Sequence, residues 1–331
     1  MKAAIIGLEG PELTADEVVL LQAMPPAGVI LFGRNIAGAL PLARLVGDLR
    51  EILPPDCVLL VDQEGGRVAR LRPPDWVAHP SAGEIGALYA RDPGAGQRVA
   101  WLTGALIGLD CAEAGFDVVC APVLDVALPG ATEAIGDRSF GSDPDQVVAL
   151  AQAVADGLLS AGVQPVGKHA PGHGKATVDS HHGLPRIEAG ADLAGDIGVF
   201  GACSALPWMM TAHIVYDALD PALPATMSPI VVEGVIRGAI GFEGVLVSDD
   251  LAMGALAGPP GDRARGAMAA GCDLALHCSG VIGASSAVLT AVPEISAAAL
   301  ARLARGRSLA ERCRLQLDRG ALLRDREEFL Q

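Results

Sequence analysis

Side chains capable of acid–base and nucleophilic chemistry collect at four places in this sequence, and most of these clusters directly follow a short apolar run. The first is Val61-Asp62-Gln63-Glu64-Gly65-Gly66-Arg67. Two acids end the run, and two glycines let the backbone turn tightly beside a ligand. Acids placed this way are candidates for functional work. Asp62 suits sugar hydroxyls, because a carboxylate accepts two hydroxyl protons. The second cluster, Gly136-Asp137-Arg138-Ser139-Phe140-Gly141, offers Arg138 as a fixed planar donor fork for a carbonyl or carboxylate. Ser142 or Asp143, just beyond it, reads as a cap for a helix beginning at Pro144.

The third cluster is the richest. Lys168-His169-Ala170-Pro171-Gly172-His173-Gly174 is followed by Asp179-Ser180-His181-His182, and together they hold four of the seven histidines. A metal site is the obvious competitor. His169 and His173 lie four apart, but Pro171, Gly172 and Gly174 are incompatible with the helix that such zinc ligation needs. The first apolar run, Ala3–Leu8, also lacks the paired ligands of barrel metallohydrolases. No metal and no cofactor is therefore expected. Without metal, Asp179 and His181 form an acid/base dyad. Residues two apart in an extended segment point the same way, so Asp179 can fix the His181 tautomer and raise its basicity. Imidazole titrates near neutrality and can both give and take a proton. His182 should point away.

The fourth cluster is Val245-Leu246-Val247-Ser248-Asp249-Asp250. Two adjacent carboxylates do not both face one small site comfortably, because like charges raise one pKa. Asp249 is the candidate nucleophile and Asp250 its structural partner.

These clusters need a frame that brings distant strand ends together. Eight short apolar runs predict strands: Ala3–Leu8, Gly28–Phe32, Val58–Val61, Asp117–Ala121, Gln164–Lys168, Trp208–His213, Val245–Ser248 and Asp273–His277. Their continuous apolarity is the pattern of parallel strands buried on both faces. Helical segments are predicted between them at 15–24, where Thr14 is the N-cap, and at 41–52, 96–114, 144–161, 187–205, 229–238 and 263–270. A helical tail is predicted over about 294–331. The β/α alternation implies right-handed crossovers. Chemistry carried on at least five strand ends favours a closed (β/α)8 barrel over an open sheet with one switch point. No linker composition divides the chain, so residues 1–331 are expected to form a single barrel domain.

Bulk properties narrow the function. The 331 residues are 51% hydrophobic but only 3% aromatic, so the core must rest on Val, Leu, Ile and Ala. A net charge of -15 argues against nucleic-acid partners. The longer apolar stretches are broken within a few residues by Gly, Pro and charges, so no membrane span is expected. Seven dispersed cysteines without a C-x-x-C pair, and an N-terminal apolar run too short for a signal peptide, point to a reducing cytoplasm.

Taken together, the motifs resemble family-three glycoside hydrolases, in particular the bacterial β-N-acetylglucosaminidases of cell-wall recycling. The resemblance rests on D-Q-E-G-G-R-V at 62–68, G-D-R-S-F-G at 136–141, K-H-x-P-G-H-G at 168–174, D-S-H at 179–181 and S-D-D-L-x-M at 248–253, in family order across most of the chain. It implies that Asp249 is the nucleophile and that His181, oriented by Asp179, is the general acid/base. It further implies that Asp62, Arg138, Lys168 and His169 bind the terminal sugar, the substrate being an N-acetylglucosaminyl-1,6-anhydro-muropeptide in the cytoplasm of Gram-negative bacteria. One departure is Ala170, where the family usually has Phe. Two-domain members carry a C-terminal extension for which this chain leaves no room, and a monomer is expected. Three rivals remain: substrate-assisted cleavage with an acid at Asp62 or Glu64, a metal-dependent hydrolase using His169, His173, His181 and Asp249, and a non-catalytic sugar-binding barrel.

Overall fold

Eight parallel strands form one continuous sheet in the computed structural model, which describes residues 1–128, 134–176, 179 and 183–330. In chain order the strands are Lys2–Gly7, Pro26–Leu31, Val58–Val61, Val118–Val119, Gln164–Ala170, Trp208–Thr211, Val245–Val247 and Ala275–His277. Each of the first six pairs with the next, and the first pairs with the last. The ring is completed between the seventh and eighth strands by a parallel bridge of Val247 with Leu274, where the Asp273 amide donates to the Leu246 carbonyl at 2.8 Å. All eight expected strands are present, and they curl into a nearly closed barrel.

Strand alternation explains why the runs are apolar throughout. Ile5, Ile30, Leu60, Val118, Val166, Trp208, Met210, Val247 and Leu276 belong to one buried cluster inside the barrel. Their neighbours Ala4, Ile6, Val29, Leu31, Leu59, Val61, Val119, Met209 and Leu246 join the larger cluster beneath the surrounding helices. Side chains two apart share a face, so a strand buried on both sides has no place for polar alternation.

The helices largely follow the expectations. Ala15–Ala23 begins with a reciprocal box in which Thr14 Oγ1 accepts from the Glu17 amide at 3.2 Å and the Glu17 carboxylate accepts from the Thr14 amide at 2.9 Å. Asp143 caps Pro144–Ser160. Two points differ from the expectation. The helix expected over 187–205 occupies only Ala194–Ala202, because Arg186–Ile187 pairs with Val215–Tyr216 in a small separate ribbon. Two further helices, Ala82–Arg91 and Ile282–Ala291, were not anticipated. The tail forms two helices, Ala297–Cys313 and Arg319–Leu330. The first supplies Leu303 to the inner barrel cluster, and the second packs on Pro93–Glu113. Among the described residues, no helix is long and apolar enough to cross a membrane.

The two long helices Pro93–Glu113 and Pro144–Ser160 meet backbone to backbone. A Cβ added at Gly104 would lie 2.1 Å from the Val154 carbonyl oxygen, and one at Gly157 would lie 2.3 Å from that of Trp101. Neither main chain can yield without breaking its own hydrogen bonds. Gly104→Val should therefore force the helices apart and destabilise the fold by about 1–3 kcal/mol or more. The check is the midpoint of urea unfolding, with an unchanged midpoint refuting this packing.

Candidate active site

The barrel mouth holds a cavity of about 250 Å³ at the carboxyl ends of the strands. Asp62, Arg138, Lys168, His169, Asp179 and Asp249 all line it, together with Phe32, Arg67, Arg70, His173, Met210 and Asp250. Six of the seven expected site residues thus share one chamber. The seventh, His181, lies outside the described residues.

One wall is an ion network spanning the third and fifth strands. Lys168 Nζ lies 2.9 Å from Asp62 Oδ1 and 2.6 Å from Glu64 Oε1. Arg138 grips both Glu64 oxygens at 2.9 Å, and its Nη1 donates to the Ala134 carbonyl at 2.9 Å. Arg70 reaches Asp62 Oδ2 at 3.4 Å. Burial alone would raise the Glu64 carboxyl, but Lys168 and Arg138 hold it well below the usual carboxylate range. Burial alone would lower the Lys168 ammonium, but Asp62 and Glu64 raise it. Both groups stay charged across the physiological range. Arg138 was expected to face a ligand directly. It lines the cavity, and Glu64 holds its Nε and Nη2 and so fixes the plane of the guanidinium.

Lys168 and His169 are consecutive yet both reach the chamber. The pairing of the fifth and sixth strands slips between Lys168 and Ala170, which breaks the alternation at this point. Asp125, fully buried in the segment that follows the fourth strand, then holds the turn. It accepts from the His169 amide at 3.2 Å and the His173 amide at 2.6 Å, and its second oxygen lies 2.8 Å from His169 Nδ1. Asp125 cannot take a proton from His169 and remain this acceptor, so Nδ1 carries the hydrogen and Nε2 is left toward the cavity. Beyond the turn, the Tyr216 hydroxyl donates to the Gly172 carbonyl at 2.7 Å.

Asp249 leaves the seventh strand partly exposed to the cavity. Burial pushes its carboxyl up, but His169, His213, the Asp250 amide and Lys168 together bring it below the ordinary aspartate value. Asp250, also at the cavity edge, accepts from the Ala252 and Cys278 amides, both at 2.9 Å. His213 lies beneath, with Nε2 at 3.0 Å from the Asp250 carbonyl oxygen and Nδ1 at 2.8 Å from Thr226 Oγ1. The adjacent acids thus take different environments, as like-charge repulsion requires.

Sequence reasoning gave Glu64 a place only in the substrate-assisted rival, and it gave Asp125 and His213 no role. Their signal was present: each is an ionisable residue at or just beyond the end of an apolar run. What the sequence did not contain was the partner of each.

Comparison with known proteins agrees with this architecture. Residues 5–304 match the glycosyl hydrolase family 3 N-terminal domain, and the chain belongs to that family. It is a glycosidase. A β-hexosaminidase of Alkalilimnicola ehrlichii is 42% identical over 283 residues, which are 83% of this chain and 80% of that protein. One from Methylococcus capsulatus is 38% identical over 333 residues, covering 97% and 94%. A crystal structure of NagZ from Neisseria gonorrhoeae in complex with N-trifluoroacetyl-D-glucosamine is similar with a TM-score of 0.87 at 29% identity, covering 100% of this chain and 98% of that one.

The network makes a stability statement with a definite sign. Glu64 has a depressed folded-state pKa, so its contribution is complete above the unfolded value near ~4.3 and is lost as pH falls toward the folded value. Lys168→Met leaves Glu64 and Asp62 short of a cation and should cost about 3–5 kcal/mol at neutral pH. The deficit should shrink as the solution is acidified through pH ~4. Denaturant unfolding of both proteins at the two pH values reads this directly, and a deficit that grows on acidification would contradict the assignment.

Proposed function

We propose that this glycosidase is a retaining β-N-acetylhexosaminidase that removes terminal N-acetylglucosamine from peptidoglycan fragments (1,6-anhydromuropeptides) through a covalent intermediate on Asp249. The observation that carries the reading is a carboxylate kept ionised in the cavity, opposite a wall of Asp62, Lys168 and Arg138 suited to sugar hydroxyls and a carbonyl. The names of the relatives and the N-acetylglucosamine analogue in the Neisseria structure support the sugar. The bonding sequence is balanced by two proton transfers. Asp249 bonds to the anomeric carbon as the glycosidic bond breaks, and protonated His181, oriented by Asp179, gives its proton to the departing oxygen. His181 then takes a proton from a water whose oxygen displaces Asp249, restoring both groups. Asp62, Arg138, Lys168 and His169 hold the sugar. The proposal includes one barrel domain acting as a monomer. Its cytoplasmic setting is supported by seven free cysteines, six of them buried.

Substrate-assisted cleavage would need an acid free to give a proton. Asp62 is paired with Lys168 and Arg70, and Glu64 is held by Lys168 and Arg138 well below the usual carboxylate range, which makes Glu64 a poor proton donor. A slow fluorinated N-acetylglucosaminide should label a peptide containing Asp249, and Asp249→Ala should lose at least about 10³-fold in turnover while keeping its unfolding midpoint. Turnover without a label would favour the substrate-assisted route. Loss of activity after exhaustive chelation would favour the metal-dependent rival.

His181→Ala should lose about 10²–10⁴-fold on natural-type glycosides but far less on an activated nitrophenyl leaving group, which needs no proton. Equal losses on both substrates would remove His181 from the acid/base role.

A further inference from the structure

The C-terminal helix Arg319–Leu330 lies outside the barrel, yet one of its arginines is buried against a segment that braces the cavity. Arg326 is 5% exposed, its Nη1 lies 2.8 Å from His79 Nδ1, and its Nη2 donates to the Ala78 carbonyl at 3.3 Å. On the other side of the ring, His79 Nε2 lies 3.0 Å from Asp110 Oδ2 on Pro93–Glu113. A guanidinium has donors only, so Nδ1 must be the acceptor, and the Nε2 hydrogen then points to Asp110. The imidazole is therefore neutral and in one tautomer. Arg319, on the same tail helix, pairs with Asp110 and Glu113 and so reaches His79 only through the shared Asp110 and at long range.

The backbone at His79 is the support of the sugar-binding turn. Its carbonyl accepts from the Gly66 amide at 3.0 Å, and the turn closes on itself through the Glu64 amide to the Val68 carbonyl at 2.8 Å. The fit is close. A Cβ at Gly65 would lie 2.3 Å from the Pro80 carbonyl oxygen, and one at Gly66 would lie 2.7 Å from the Ser81 Cβ. Both glycines have positive φ, at 98° and 52°. A shift of residues 79–81 therefore moves Glu64, which sets the plane of Arg138, and Arg67, which pairs with Asp137 at 2.7 Å.

We propose that Arg326 is a positioning residue for sugar binding, acting through neutral His79 on the turn 64–68. The proposal rests on the reading of the cavity as an N-acetylglucosamine site. Arg326→Ala should raise KM for an N-acetylglucosaminide about tenfold while changing kcat by less than about threefold, because the turn orients groups that hold the sugar in ground and transition states alike. Calorimetric affinity for N-acetylglucosamine should weaken in parallel. Arg326→Lys, which keeps one donor for His79, should recover part of the loss. Arg319→Ala, which loosens the helix but keeps the Arg326 contact to His79, should leave KM near the wild-type value. Arg326→Ala and His79→Gln together should raise KM no more than the stronger single change.

A lower melting temperature with unchanged KM in Arg326→Ala would make the contact purely structural and overturn the proposal. Additive KM effects, or an equal KM rise in Arg319→Ala, would do the same. A wild-type protein that neither binds nor hydrolyses the sugar would instead overturn the reading of the site, and the proposal with it.

Discussion

Lys168 carries its charge in a position where two carboxylates, more than a hundred residues earlier in the chain, make that charge tolerable. An isolated ammonium at this depth would lose its proton. The pairing with Asp62 and Glu64 in turn demands the parallel register that sets Leu60 beside Val118 and Val118 beside Gln164. A slip of one residue on the fifth strand would turn Lys168 into the helical layer. The network therefore ties barrel register to the cavity wall. Replacing such a network with apolar groups often leaves stability unchanged, so stability alone does not explain its presence. Its contribution lies in the placement of Arg138, whose guanidinium takes its orientation from Glu64.

The frame was legible because its signal is local and repeated. Each barrel strand is a short apolar run, and each functional cluster begins at or near the end of one, so both strand number and site position follow from the same pattern. Thr14 and Asp143 marked helix starts through side chains that cap. The helix Ala82–Arg91 carried an equally explicit sign in Ser81 and Glu84, which form a reciprocal box. It was missed because Pro, Gly and charged residues around it suggested a loop. Ile282–Ala291 has no side-chain cap and is apolar around most of its surface, so neither boundary nor face was marked. The early start given to Ala194–Ala202 failed for another reason: Ile187 satisfies its backbone across a two-residue ribbon that no period reveals.

Within the site, residue types were legible and pairings were not. That Asp62, Lys168 and Asp249 share a chamber follows from strand ends. That Arg138 faces Glu64, or that Asp125 holds two amides and an imidazole together, depends on loop paths of several residues. Asp125 illustrates the limit. It lies six residues beyond the short strand Val118–Val119, after a proline, and nothing in its neighbours announces that His169 and His173 will converge on it. Gly172 and Gly174 make that convergence feasible. A Cβ at Gly174 would lie 1.8 Å from the Val126 carbonyl oxygen, so the histidine turn passes against the chain carrying Asp125.

The proposed use of an imidazole as acid/base gains a physical reason from the charges already present. Asp62, Glu64, Asp125, Asp249 and Asp250 all lie in or just behind one chamber. Lys168 and Arg138 neutralise the first two, and backbone amides absorb much of the charge on Asp125 and Asp250. Burial pushes the Asp249 carboxyl up, and the combined field of His169, His213, the Asp250 amide and Lys168 brings it below the ordinary aspartate value. A further carboxyl as acid/base would pass through an anionic state once it had given up its proton. That is the moment at which Asp249 must become a good leaving group to complete turnover. Like charge beside it would raise its pKa and slow its departure. An imidazole that has given its proton is neutral, so its cycling between charged and neutral forms never adds negative charge to the chamber.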